Sequence, residues 1–197
     1  MRQSGKLRER CSSASCLPEE RRTELSSRDK KRAVKAKKRS LRRRQVAALP
    51  YRVNGAGDLE ILLLTSRQTR RFITPKGWRK KGLSESKAAA EEAFEEAGVK
   101  GRIEKKPIGT YSYWKRQARL FERVWVNVYA MKVTEQRSRW PERNERSVAW
   151  LPVEDAVTLI DEQELAAILR TVALDASGHM TIQASGSATP SPGGVGR

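Results

Sequence analysis

The sequence predicts an α/β domain, a mixed β-sheet sandwiched by helices, set between a basic arm and a polar tail. Three observations lead there. Residues 43–174 read β-β-β-α-β-β-β-α from their apolar patterning, with strand-like runs before and after a central helix. The segment Gly77–Val99, GWRKKGLSESKAAAEEAFEEAGV, is a helix framed by a glycine loop before it and a glycine stop after it. The charge is partitioned: the net +18 comes from 41 basic and 23 acidic residues, and residues 1–48 hold 17 of the first and 5 of the second.

Each element has a local reason. Strands are expected at about 45–53 and 59–66, with Asn54-Gly55-Ala56-Gly57-Asp58 turning between them, and at 71–74. Ser84 is the expected N-cap of a helix that runs to Ala97, where Gly98 supplies the stop. Further strands are expected near 102–114, 121–133 and 146–151. The run Val124-Trp125-Val126-Asn127-Val128-Tyr129 suits a strand buried on both faces. Pro152 precedes helices at about 153–159 and 161–173, the second with Leu165, Ile168 and Leu169 on one stripe. Trp125, Trp140 and Trp150 read as core or rim packing. Residues 1–42 form a basic arm and 175–197, rich in Gly, Ser and Pro, a disordered tail.

The central helix carries the chemistry. Glu92, Glu95 and Glu96 stand at i, i+3 and i+4, so their carboxylates share one face. At about 100° per residue Glu85 falls near the same meridian, with Phe94, Ala90, Ala93 and Ala97 opposite. Clustered carboxylates repel one another unless a cation sits among them, and hard divalent ions prefer oxygen ligands. A solvated Glu/Ala-rich helix is the plain alternative for the glutamates alone; the glycine frame is what points beyond it.

That frame resembles the Nudix box, G-x5-E-x7-R-E-U-x-E-E-x-G-U with U a bulky apolar residue. Gly77, Glu92, Glu95, Glu96, Gly98 and Val99 fall at matching spacings, whereas Leu83 stands where the first glutamate is usual and Glu91 where arginine is usual. Ala93 is smaller than the usual apolar residue. Residues 44–53, 59–67, 71–77 and 146–157, with Val133-Thr134-Glu135 and Trp140, also resemble diphosphoinositol polyphosphate phosphohydrolases and short bacterial Nudix proteins. The resemblance implies the Nudix α/β/α sandwich and hydrolysis of a diphosphate linkage. It implies that Glu92 and Glu96 bind Mg²⁺ (or Mn²⁺) with the backbone carbonyl at the Lys76–Gly77 corner, and that Glu95 accepts the proton. The roles of Glu95 and Glu96 could be exchanged, because adjacent carboxylates sharing metals titrate as a group. Glu122, Glu142 and Glu145 are weaker candidates for the base.

The substrate is expected to be a polyphosphorylated small molecule. Arg67, Arg70, Arg71, Arg79, Lys80 and Lys81 bracket the glycine loop, and forked guanidinium groups match phosphate geometry. By resemblance Arg44, Thr65, Ser66, Arg67 and Arg146 contact phosphates, and Arg71 joins them as a substrate-binding cation. Diphosphoinositol polyphosphates and dinucleoside polyphosphates both qualify. Two alternatives stay open: an RNA 5′-end pyrophosphohydrolase, and a catalytically weak module that binds a phosphorylated ligand or nucleic acid. The basic arm could contact nucleic acid without sequence preference. No run approaches the ~18 apolar residues of a membrane helix. Cys11 and Cys16 lie in the arm without partnering ligands, so a reduced, cytoplasmic protein is expected. His179, the only histidine, sits in the polar tail, which leaves no candidate for histidine-based catalysis.

Overall fold

The computed structural model describes residues 44–117 and 120–183. The basic arm through Arg43, residues 118–119, and the tail from Ala184 lie outside the described residues. Strands β1 (Arg44–Val53), β2 (Leu59–Thr65), β3 (Phe72–Ile73) and β4 (Lys76–Trp78) precede helix α1 (Glu85–Ala97). Strands β5 (Val99–Ile103), β6 (Gly109–Gln117), β7 (Leu120–Gln136) and β8 (Val148–Pro152) follow. Helices α2 (Val153–Leu159) and α3 (Gln163–Arg170) and the pair β9 (Val172–Leu174) and β10 (Met180–Ile182) complete the described chain.

The sheet is mixed, as the sequence led us to expect. Its order is β3-β2-β1-β7-β5, with β4 on β1, β6 on β7 and β8 on β2. Strands β1 and β7 run parallel at its centre, while the other pairs are antiparallel. Both faces of β1 are buried, and its side chains alternate between two cores. Ala47, Leu49 and Tyr51 meet Ile160 of the α2–α3 link and Leu165 and Leu169 of α3 on one face. Val46 and Ala48 meet Ala88, Ala89, Ala93 and Ala97 of α1 on the other. Small alanines let α1 lie close to the sheet, which brings its glutamate face level with β4.

Several boundaries differ from the sequence reading. The short β4 was not foreseen; it exists because Val46 of β1 pairs with Gly77. The strand expected at 102–114 is two, β5 starting directly after Gly98 and β6 starting after Pro107, which has no N–H to give a ladder. Strand β7 is not buried on both faces from its start. Val124, Val126 and Val128 enter the core, but Trp125 is 42% exposed and lies under the Arg123 guanidinium. Trp150 is a rim residue, as expected, donating to Gln136 and lying under Arg52. Phe94, expected with the buried alanines, is only half-buried, beneath the Lys100 ammonium.

The chain end also departs from expectation. Helix α3 stops at Arg170, and β9 pairs with β10. Residues 175–183 are therefore ordered rather than part of a disordered tail. The Asp175 carboxylate accepts from the N–H groups of Ser177 and His179, and the Met180 N–H donates to the Tyr51 hydroxyl. A local turn and one buried methionine outweigh the polar composition there.

Candidate active site

Three pieces of backbone place the carboxylates. Ser84 caps α1, its hydroxyl accepting from the Lys87 N–H. Gly98 closes the helix at φ 70°, its N–H donating to the carbonyls of Ala93 and Phe94. Strand β4, paired with β1, lies beside the helix, and the Lys76 N–H donates to Glu96 Oε2 at 3.0 Å. Gly77 lies against Glu92: a Cβ built on Gly77 would overlap that carboxylate. Side chain and main chain share one space there, which only glycine leaves free.

The glutamates differ in their surroundings. Glu96 is 6% exposed; it accepts from Arg146 Nη2 through Oε1 and from the Lys76 N–H through Oε2. Burial pushes its carboxyl up to about 7, against the opposing pull of Arg146 and the Lys76 N–H. Burial also raises the Glu92 carboxyl, with Lys80 opposing and Glu95 adding to the rise. Glu95 is the open one, with its side chain 45% exposed. Lys80 Nζ lies 2.9 Å from Glu95, 3.0 Å from Glu91 and 3.5 Å from Glu92. Burial pushes the Lys76 ammonium down to about 8, with Glu96 and Glu162 opposing.

Glu85 shares the face but is committed elsewhere. Its carboxylate accepts from Asn127 Nδ2 at 2.7 Å and Tyr129 Oη at 2.8 Å, and pairs with Arg79 at 3.0 Å. Burial raises its carboxyl, but these hydrogen bonds and Arg79 outweigh that, and the net shift is downward. Leu83, in the position where the Nudix box has its first glutamate, is 37% exposed.

The expected substrate contacts fall into separate groups. Arg146 is buried, and its guanidinium also reaches Glu142 at 2.6 Å and the Thr65 carbonyl at 3.2 Å. It is spent on protein acceptors and acts on Glu96, not on an open phosphate site. Thr65 Oγ1 accepts from the Ser147 N–H, and the Ser66 hydroxyl bonds to that of Thr69. Arg67 pairs with Glu145 and Glu142, while Arg71 pairs with Glu162 at 3.1 Å and Asp161 at 3.5 Å. Arg44 is exposed at the head of β1, opposite Trp125. Of the weaker base candidates, Glu142 and Glu145 join the Arg67 and Arg146 network, and Glu122 stands opposite Lys115 on the β6–β7 ribbon. The sequence reading gave no individual role to Lys80, Asn127 or Tyr129. A basic residue in the glycine loop signalled the first; nothing local signalled the other two.

These residues fit a hard divalent cation. Glu92 and Glu96 offer carboxylate oxygens beside the Lys76–Gly77 main chain, and a lysine ammonium already sits among three of the glutamates. Among the described residues no three acidic, histidine or cysteine side chains converge as a ready cage. Two carboxylates beside a backbone corner would make a sparse oxygen set, which suits an ion that keeps part of its hydration.

Known proteins are similar to this chain in sequence and in fold. The chain is 32% identical over 111 residues to Nudix hydrolase 12, mitochondrial, of Arabidopsis thaliana, covering 54% of this chain and 55% of that one. It is 30% identical over 121 residues to Nudix hydrolase 18, mitochondrial, of the same plant, covering 58% and 67%. The chain thus spans little more than half the length of the first of these relatives. Among solved structures, an Ap4A hydrolase binary complex from C. elegans superposes with a TM-score of 0.50 at 24% identity, over 64% of this chain and 92% of that one. A NUDIX-family hydrolase from Clostridium perfringens gives 0.51 at 15% identity, over 66% and 95%; both show the shared fold. The NUDIX domain pattern itself matches residues 41–172, and with that match the chain belongs to the NUDIX domain family.

Proposed function

We propose that the protein is a metal-dependent hydrolase that cleaves a diphosphate linkage in a highly phosphorylated small molecule, of the dinucleoside polyphosphate or diphosphoinositol polyphosphate type. The observation that carries this reading is the packing of Glu92 against the Gly77 main chain, with Glu95 and Glu96 on the same helix face. Nudix hydrolases generally use divalent metal ions. Glu92, Glu96 and the backbone carbonyl at the Lys76–Gly77 corner would hold one, with Mg²⁺ or Mn²⁺ suiting the oxygen donors. Such an ion, held by those residues, would supply positive charge against the diphosphate.

The remaining work falls to this chain's residues. Glu95, the most open of the three, takes a proton from the attacking water as its oxygen bonds to phosphorus. The bridging P–O bond breaks, and the leaving phosphate carries away the electron pair. Arg146 and the Lys76 N–H hold Glu96 in place. Arg44, Arg67 and Arg71, with Thr65 and Ser66, would supply charge and hydrogen bonds for the outer phosphates, Arg67 and Arg71 by exchanging their present carboxylate partners. Arg44, Thr65, Ser66, Arg67 and Arg146 are the phosphate-contacting positions that the resemblance to diphosphoinositol enzymes implies, and the Ap4A hydrolase of the same fold makes Ap4A the first nucleotide to assay.

A second reading has a specific observation behind it. Arg67, Arg71 and Arg146 are already paired within the protein, and Glu91 adds a negative charge beside the metal face. A weakly catalytic module binding a phosphorylated ligand would show the same features. The deciding experiment is a divalent-cation-dependent phosphate-release screen over Ap4A, diphosphoinositol polyphosphates and 5′-triphosphorylated RNA. Glu92→Gln and Glu96→Gln should each lower kcat by about 10²-fold or more. Unchanged turnover in both variants would sink the catalytic reading, and tight binding without turnover would favour the module.

A further inference from the structure

Lys80 has no part in the reaction just described, yet it is the cation that lies among the carboxylates. It is carried by the turn between β4 and the Ser84 cap, where the Leu83 N–H donates to the Lys80 carbonyl. From there its ammonium reaches Glu95 Oε1 at 2.9 Å, Glu91 Oε2 at 3.0 Å and Glu92 Oε1 at 3.5 Å. Among the described residues, no other cation forms an ion pair with Glu91 or Glu95. Those two glutamates stand one turn apart as i and i+4, where like charges repel. Glu95 is also half open to solvent, so its side chain would otherwise sample several rotamers.

We propose that Lys80 is the positioning residue for Glu95: its ammonium, anchored on Glu91, holds the Glu95 carboxylate in one orientation. This inference rests on the catalytic reading above, in which Glu95 accepts the proton. The geometry assigns Glu91 a use as well. It is the anchor that keeps Lys80 over the helix, and its closest cation is the lysine. A base fixed in one rotamer is productive more of the time than a mobile one, and small misplacements cost large factors in rate. An arginine at position 91 would itself reach Glu95 across one helical turn, so the cation could be supplied from either side.

That equivalence provides the test. Lys80→Met, Lys80→Arg and the double variant Lys80→Met/Glu91→Arg are compared with the full-length wild type. Three quantities are read: steady-state kinetics on the substrate found in the screen, Mn²⁺ affinity by electron paramagnetic resonance, and the side-chain order of Glu95 by ¹³C NMR. Lys80→Met should lower kcat by about 10- to 100-fold, the size of a misplacement effect. KM and Mn²⁺ affinity should stay within about threefold, because Glu92 is the more distant contact and Glu96 is not touched. Glu95 order should fall in parallel, and Lys80→Arg should retain most of both. The double variant should recover at least half of the lost order and, on a logarithmic scale, of the lost rate.

Unchanged Glu95 order in Lys80→Met, or no recovery in the double variant, overturns the proposal. So does a collapse of Mn²⁺ affinity together with the rate, which would make Lys80 a prop of the metal site. Should the wild type hydrolyse nothing in the screen, the catalytic reading fails by itself, and the NMR comparison still decides whether Lys80 orders Glu95.

Discussion

Glu96 and Arg146 form the most consequential pair at the residue scale. Their side chains are 7% and 5% exposed, and each has further partners in the Lys76 N–H, Glu142 and the Thr65 carbonyl. Desolvating two charges is costly, so the pair is weak evidence for net stability; breaking it from one side is another matter. Arg146→Met should strand a buried carboxylate and lower stability by ~3–5 kcal/mol. Chemical denaturation would measure this, and adding Glu96→Gln should return part of the loss, because a neutral amide tolerates burial better. A loss below about 1 kcal/mol would mean that Glu96 simply takes up a proton or turns to solvent. Arginine at 146 thus fixes the Glu96 carboxylate.

Helix α1 concentrates the element-scale constraints at its two ends. At the C-terminal end Gly98 holds φ 70°, and a Cβ there would overlap the Trp140 ring. Gly98→Ala therefore pays for a left-handed conformation, ~1–2 kcal/mol, and must also displace the indole. A fall in Tm with a blue- or red-shifted tryptophan emission should report both; an unchanged Tm would show that the cap relaxes freely. At the N-terminal end Glu85 ties α1 to β7 through Asn127 and Tyr129. Its folded carboxyl lies below the ordinary value of about 4.3. A depressed carboxyl stabilises the fold fully above the unfolded value, and that contribution is lost as pH falls through the folded one. Glu85→Gln should therefore lower Tm at pH 6–7, and the gap should close as pH falls through the depressed folded value. A Tm gap that persists undiminished into acid would assign the loss to packing.

For the whole molecule, the distribution of charge makes a separate prediction. Residues 1–48 carry a net +12 of the total +18, whereas among the described residues both apolar cores are built from residue 46 onward. Folding is driven by burying apolar surface, to which the basic run contributes little. Deleting residues 1–41 should leave Tm and small-molecule turnover nearly unchanged. If the arm serves nucleic acid, the deletion should weaken RNA or DNA binding and flatten its salt dependence, by about 0.7–0.9 log units per lost phosphate contact. A collapse of small-substrate turnover would instead give the arm a part in the site.

The central helix, its two caps, the hairpin of β1 and β2 and the glutamate face were legible in the sequence, because each depends on contacts within a few residues. Ser84 caps a helix whatever lies beyond it, and i, i+3, i+4 spacing puts Glu92, Glu95 and Glu96 on one side by helix geometry alone. The parallel pairing of β1 with β7 and the short β4 were not legible, since their partners lie about 30 to 80 residues away; the β9–β10 hairpin is local, and the polar composition of its turn hid it. The same limit applies to charge. Which cations bind substrate and which neutralise the protein's own carboxylates depends on distance in space: Arg146 meets Glu96 across 50 residues, and Lys80 meets Glu95 across 15. Local sequence determined where the carboxylates point. Only tertiary structure decided which positive charges stand over them, because electrostatic pairing is set by separation and burial, and neither is encoded by neighbours along the chain.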